Sequence, residues 1–188
     1  MYYRYIDAIV RGIGADATSL LDVGTWNARY LEAFDWIPRR VALDKRVVYS
    51  SENVEGITAD FFEYQPDTPF DLVTCFQVLE HVPNAKMFAQ KLFQVGCNVL
   101  ISVPFKWKAG ASKYHVHDPI DLNKLESWTE RKPSYSIVVT EIFAGAKGKR
   151  LIAYYHDPAQ KFDLSAARAN MRRSLRVSEH LSDSASVD

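Results

Sequence analysis

Carboxylates, histidines and one glycine stand where short apolar runs of this chain end, and a binding site can be assembled from them. Asp22 lies near the end of the run Ser19 to Val23, Asp44 follows Val41 to Leu43, and Asp60 follows Gly56 to Ala59. A carboxylate at such a tip accepts hydrogen bonds from hydroxyl or amino groups, each worth roughly 1.5–3 kcal/mol when the acceptor is charged. Gly24 lacks a side chain, so a ligand can approach the backbone closely there. His81 lies in Leu79-Glu80-His81-Val82, and His115 and His117 have the spacing of residues that share one side of an extended segment. Imidazole titrates near neutral pH, so these three are candidates to take the proton of a hydroxyl nucleophile. Asp118 and Asp121 are near the last pair, but two histidines without a distant third ligand are a weak metal signal, and no metal is expected. Each group has a blander role as well: an aspartate at a strand end is often a turn residue, and His81 can simply hold its loop. Three such aspartates after three successive runs make coincidence a poor account.

The elements that must hold these groups follow from the periodicity. A leading amphipathic helix is expected over Tyr2 to Ile13, with Ile6, Ile9, Val10 and Ile13 on one face. Strands are expected at Ser19–Val23, Val41–Leu43, Gly56–Ala59, Asp71–Phe76 and Asn98–Val103. A helix over Ala28 to Phe34, terminated by Pro38, and one over Ala85 to Val95, capped by Asn84, fall between them. Alternation of this kind is the signature of a parallel sheet covered on both faces.

The connection from Phe105 to Asp121 is long enough to be functional. Its Trp107 and Tyr114 can stack on a ring or sugar face, and Gly110 can let it close. A helix over Leu122 to Arg131 precedes two strands, Tyr135–Phe143 and Arg150–His156, whose short link Ala144–Lys149 requires an antiparallel pair. Beyond Asp157 the composition turns to Ala, Arg and Ser. A helix over Leu164 to Val177 would carry Arg168, Arg172, Arg173 and Arg176 along a solvated side, and the polar end Ser178–Asp188 is expected to be mobile.

Composition excludes other classes. At 188 residues, 47% hydrophobic and 24% charged, the chain is a globular domain of ordinary size. Twenty-three basic residues balance 23 acidic ones, which leaves no global field for nucleic acid or an anionic membrane. No apolar run approaches the length of a membrane span, and the amino terminus is interrupted by Arg4, Asp7 and Arg11. Cys75 and Cys97 lie in apolar runs and read as unpaired thiols, so the expected location is the cytoplasm.

Leu20-Leu21-Asp22-Val23-Gly24, Val41-Ala42-Leu43-Asp44, Thr58-Ala59-Asp60-Phe61 and the stretch Phe70 to Val82 resemble, in order, the motifs of class I S-adenosylmethionine-dependent methyltransferases, in the subgroup acting mostly on small molecules. The resemblance implies an α/β fold: a seven-stranded, mainly parallel sheet with an antiparallel last strand and helices on both faces, over residues 1–157, followed by a tail over 158–188. It implies S-adenosyl-L-methionine as cofactor. Asp44 would take the ribose hydroxyls, Asp60 and Phe61 the adenine, Phe76 and Gln77 the opposite wall, and Asp22 the methionine end. The segment Gly24-Thr25-Trp26-Asn27-Ala28 departs from the family's glycine-rich loop by keeping only its first glycine, so Trp26 either points away from the cofactor or covers it. The same loss weakens a dinucleotide site, which needs a second glycine. The expected activity is methyl transfer to a small-molecule or glycan acceptor, preferably at oxygen, with His117 or His115 as base. A noncatalytic binding module and a dinucleotide-dependent oxidoreductase are the rival readings.

Overall fold

Apolar side chains on both faces of the central strands commit the sheet to burial on two sides. The computed structural model describes residues 2–24, 26–142, 144–157, 159, 163, 165–170 and 172. It contains the strands β1 (Ser19–Val23), β2 (Arg39–Asp44), β3 (Glu55–Thr58), β4 (Phe70–Phe76), β5 (Gly96–Pro104), β6 (Tyr135–Thr140) and β7 (Lys149–Tyr155). Their spatial order is β3-β2-β1-β4-β5-β7-β6, with β7 antiparallel to both of its neighbours and every other pair parallel. This is the expected fold. The strand order reverses between β1 and β4, and a parallel sheet leaves a crevice beyond its carboxyl ends at that point.

Helices cover both faces. On one side α2 (Ala85–Val95) and α3 (Leu122–Thr129) bury Phe88, Leu92, Leu125 and Trp128 against Leu21, Val73, Val99 and Ile101. On the other, α1 (Tyr2–Ile13) buries Ile6, Ile9 and Val10 against Leu20, Leu72 and Leu100. Burying one such side chain contributes roughly 1.5–3 kcal/mol, so the two cores hold the strand ends firmly in place. Asn84 caps α2, its side chain accepting from the Met87 N–H, and Asp121 caps α3 through the Lys124 N–H.

Three local expectations change. Ala28 to Phe34 is not an α-helix but one 3-10 turn, Arg29–Ala33: Ala28 offers no capping side chain, and β2 begins too soon for a helix to propagate. α3 stops at Thr129 because Glu130 takes a left-handed conformation. The hairpin strand expected over Tyr135–Phe143 ends at Thr140, ahead of a 3-10 turn at Gly145–Lys147. Residues 165–170 are helical and capped by Asp163, whose carboxylate accepts from the Ser165 and Ala166 N–H groups. Arg168 and Arg172 are exposed, while Arg173, Arg176 and the stretch Ser178–Asp188 lie outside the described residues.

Candidate active site

The carboxyl rim of the sheet is built by strands that continue for one residue past their ends. Gly24 N–H bonds the Leu43 carbonyl at 2.7 Å, Ala59 N–H the Asp44 carbonyl at 3.1 Å, and Gln77 N–H the Ser102 carbonyl at 2.9 Å. Above them opens a cleft of about 970 Å³, at the upper end of the size range of small-molecule sites. Gly24, Trp26, Asp44, Asp60, Phe61, Phe76, Gln77 and His81 all line it.

Each wall has a physical basis. Gly24 has φ +80°, and a Cβ there would stand 2.8 Å from Cγ1 of Val78, so both its backbone and its neighbour require glycine. The Asp44 carboxylate accepts from the Arg46 N–H at 2.7 Å and the Val47 N–H at 3.3 Å, both through Oδ1. That arrangement sets the turn and leaves Oδ2 for a ligand. Asp60 likewise accepts from the Phe62 N–H at 2.8 Å through one oxygen. Phe61 is buried against Phe88, their ring centroids 4.6 Å apart, which makes an apolar wall beside that carboxylate. Gln77 holds φ +57°, an uncommon conformation for a residue with a side chain, and its Nε2 donates to Ser102 Oγ at 3.2 Å. Trp26 is 76% exposed at the rim and is therefore not a core residue. Tyr3 of α1, 58% exposed, also lines the cleft, and no sequence signal placed it there.

Asp22 lies beneath the cleft rather than on it. It is fully buried and accepts from Thr74 Oγ1 at 2.7 Å and from the Tyr30 hydroxyl. Burial, reinforced by Asp22, pushes the Tyr30 phenol well above its ordinary pKa and keeps it a donor. The role expected for Asp22, orienting the methionine end through backbone or water contacts, is thus one exerted from beneath the floor, through Thr74 and Tyr30.

The three histidines separate. His81 lines the cleft and its Nδ1 meets the Tyr114 carbonyl at 3.0 Å; burial holds its pKa below the ordinary value. His115 stands behind it, ring centroids 4.7 Å apart, with Nδ1 donating to Asp118 Oδ2 at 2.7 Å. His117 turns to the Val82 carbonyl, its Nε2 at 2.8 Å, and packs on Trp128 with centroids 5.0 Å apart. Neither His115 nor His117 lines the cleft, because their shared side of the extended segment faces the protein while Val116 between them is exposed. Of the long loop's aromatics, Tyr114 is 70% exposed and reaches the cleft. Trp107 is buried, stacked on His115 and donating from Nε1 to the Lys149 carbonyl at 2.9 Å, so it anchors the loop and offers no face to a ligand. Glu80, missed by sequence reasoning, is 1% exposed, and burial pushes its pKa up to about 8.

Among the described residues no helix is long and apolar enough to cross a membrane. A family model described as a methyltransferase domain matches residues 1–134. The fold is similar to that of the N-methyltransferase NodS from Bradyrhizobium japonicum WM9 in complex with S-adenosyl-L-homocysteine, with a TM-score of 0.64, 14% identity and coverage of 84% of this chain and 87% of that one. It is similar to the N-terminal domain of EvdMO1 with S-adenosylhomocysteine bound, with a TM-score of 0.60, 16% identity and coverage of 82% and 80%. It is similar as well to the [4+2]-cyclase SpnF, with a TM-score of 0.65, 12% identity and coverage of 82% and 80%. At these identities the likeness is one of fold. No curated protein matches the chain in sequence.

Proposed function

The chain belongs to the family of methyltransferase domains, and on that footing we propose that it binds S-adenosylmethionine in the rim cleft and methylates a hydroxyl of a small molecule or glycan. One observation carries the reading: Gly24, Asp44, Asp60, Phe61, Phe76 and Gln77, drawn from four strand ends, converge on one cleft. Their chemistry fits the cofactor. Asp44 receives the ribose hydroxyls on Oδ2, Asp60 the adenine amino group, and Phe61 the adenine ring, with Phe76 and Gln77 opposite. Trp26 covers the site from the rim in place of the missing glycines.

When bound, the cofactor would supply a sulfonium methyl group: as the acceptor oxygen bonded to carbon, the carbon–sulfur bond would break to leave S-adenosylhomocysteine, and the hydroxyl proton would pass to His81. The chain's own contribution is to hold donor and acceptor in line, which can contribute roughly 7–11 kcal/mol. The acceptor enters beside His81 and Tyr114, where the turn after β4 and the long loop both reach the cleft. His81 thereby takes the place at the acceptor expected of His117. The unpaired thiols of Cys75 and Cys97 support a reducing, cytoplasmic setting.

Calorimetric titration with S-adenosylhomocysteine and with NAD, joined to an isotopic methyl-transfer assay on hydroxylated small molecules and sugars, tests the proposal. The expected result is binding of S-adenosylhomocysteine alone and transfer to a hydroxyl. His81→Ala should lower turnover roughly a hundredfold without changing that affinity. Binding without transfer across the panel would favour a noncatalytic module, in keeping with a fold that also hosts a cyclase. NAD binding would favour the oxidoreductase.

A further inference from the structure

Two separate segments bring three ligand-type side chains together behind the acceptor end of the cleft. Glu80 and His81 come from the 3-10 turn after β4 (Leu79–His81), and His115 comes from the loop between β5 and α3. One nitrogen or oxygen from each lies within 4.8 Å of the other two. The loop is pinned to the turn by the Val116 N–H, which bonds the Glu80 carbonyl at 2.9 Å.

The hydrogen bonds around the rings orient them for coordination. Nδ1 of His81 meets the Tyr114 carbonyl at 3.0 Å, and Nδ1 of His115 meets the Asp118 carboxylate at 2.7 Å. Carbonyl and carboxylate oxygens only accept, so each Nδ1 carries the hydrogen, and in the neutral ring the lone pair is on Nε2. Histidines that bind metals are held this way, by a carbonyl or carboxylate at the second nitrogen. Glu80 adds a carboxyl oxygen that becomes a ligand by giving up its proton as the ion binds: the side chain is 1% exposed, and its Oε2 has no hydrogen-bond partner among the described residues. Oδ1 of Asp118 is buried without a partner in the same way. Carboxylate oxygens are costly to bury unless a cation or a donor meets them. Arg150, the nearby cation, pairs with Glu141 at 3.7 Å instead.

We propose that Glu80, His81 and His115 bind a divalent transition-metal ion, with Asp118 as the positioning residue behind His115. Two imidazoles and a carboxylate suit zinc, manganese or iron, whereas magnesium and calcium favour oxygen ligands alone. Bonds of about 2.0–2.2 Å bring ligand atoms to about 3–3.5 Å from one another, a closing that a turn of the exposed His81 side chain supplies. Because His81 lines the cleft, the ion's remaining positions open toward the acceptor. There the ion takes the acceptor hydroxyl as a ligand and makes it more acidic, so that with the ion bound its proton passes to solvent and His81 serves as a metal ligand in place of the base. That last role rests on the methyl-transfer reading; binding of the ion does not.

The test is titration of the chelator-treated full chain with zinc and with manganese, followed by X-ray absorption at the metal edge. One ion per chain is expected, with two imidazole nitrogens in its shell. Glu80→Gln and His115→Ala should each weaken binding at least tenfold, and Asp118→Asn about tenfold by releasing the His115 ring. His117→Ala should leave the affinity unchanged, which separates this site from chelation by any surface histidine. S-adenosylhomocysteine affinity serves as the folding control for every variant. No saturable ion, a shell without two imidazoles, or Glu80→Gln binding like the wild type overturns the metal site and leaves the cofactor reading standing. Saturable metal binding without S-adenosylhomocysteine binding overturns the cofactor reading alone.

Discussion

At the amino ends of the strands, Oδ2 of Asp71 accepts from the Thr18 N–H at 2.7 Å, the Thr18 hydroxyl at 2.7 Å and the Ser19 N–H at 3.1 Å. At the carboxyl ends, Asp44 accepts from backbone N–H groups two and three residues ahead, and Asp60 from one two residues ahead. Asp71 thus joins the start of β4 to the entrance of β1, distant in the chain, whereas the rim aspartates close turns of their own. A residue type that reads identically in sequence ties two distant segments at one end and closes local turns that line the cleft at the other. The partner's distance along the chain tells them apart. Even the glycine of the upper rim belongs to this contrast, since Gly24 is fixed by backbone conformation and by Val78 before any ligand arrives.

The contrast can be broken at four points, in falling order of effect. Gly24→Ala should cost about 1–3 kcal/mol through its left-handed backbone and the contact with Val78, seen as a lower melting temperature. Asp44→Ala should weaken S-adenosylhomocysteine at least about tenfold by calorimetry, near 1.4 kcal/mol, with little change in melting. Asp71→Asn should do the reverse, lowering stability by about 1 kcal/mol with affinity intact. Burial raises the Asp71 pKa, but the bonds from Thr18 and Ser19 outweigh it and hold the carboxyl below its ordinary value. Its contribution is therefore complete above the unfolded pKa of about 3.9 and lost as pH falls below it, so urea melts of Asp71→Asn should show a flatter acid limb than wild type. Trp26→Ala, at an exposed rim position, should shift stability by less than about 0.5 kcal/mol and ligand affinity by about 0.5–1 kcal/mol. If Asp44 and Asp71 variants instead lose stability and affinity together, the two ends are not distinct.

Sequence reasoning reached the parts of this molecule that local pattern determines. The bounds of α2 and its Asn84 cap, the strand tip at Asp44, and the antiparallel hairpin all follow from periodicity and turn chemistry, whereas β3 ends at Thr58, two residues short of Asp60. What it missed depends on contacts between segments far apart in the chain. Tyr3 reaches the cleft only because α1 packs across the opposite face of the sheet from α2. Glu80 gains interest only once the loop returns His115 to its side. Spacing placed His115 and His117 on one side of their segment but not which way that side faces, and Trp107, read as a stacking platform, is held inward by its bond to Lys149.

The position of β7 has a consequence for how the chain is made. It is the last strand in sequence among the described residues, yet it lies between β5 and β6. On the ribosome, β5 therefore emerges with the outer edge of Val99–Pro104 unpaired until Arg150 to Tyr155 have followed. β6, synthesised earlier than β7, has no place to dock in the meantime. An open edge of that length invites pairing with another chain. The sheet closes only by a late insertion, β7 entering between β5 and β6.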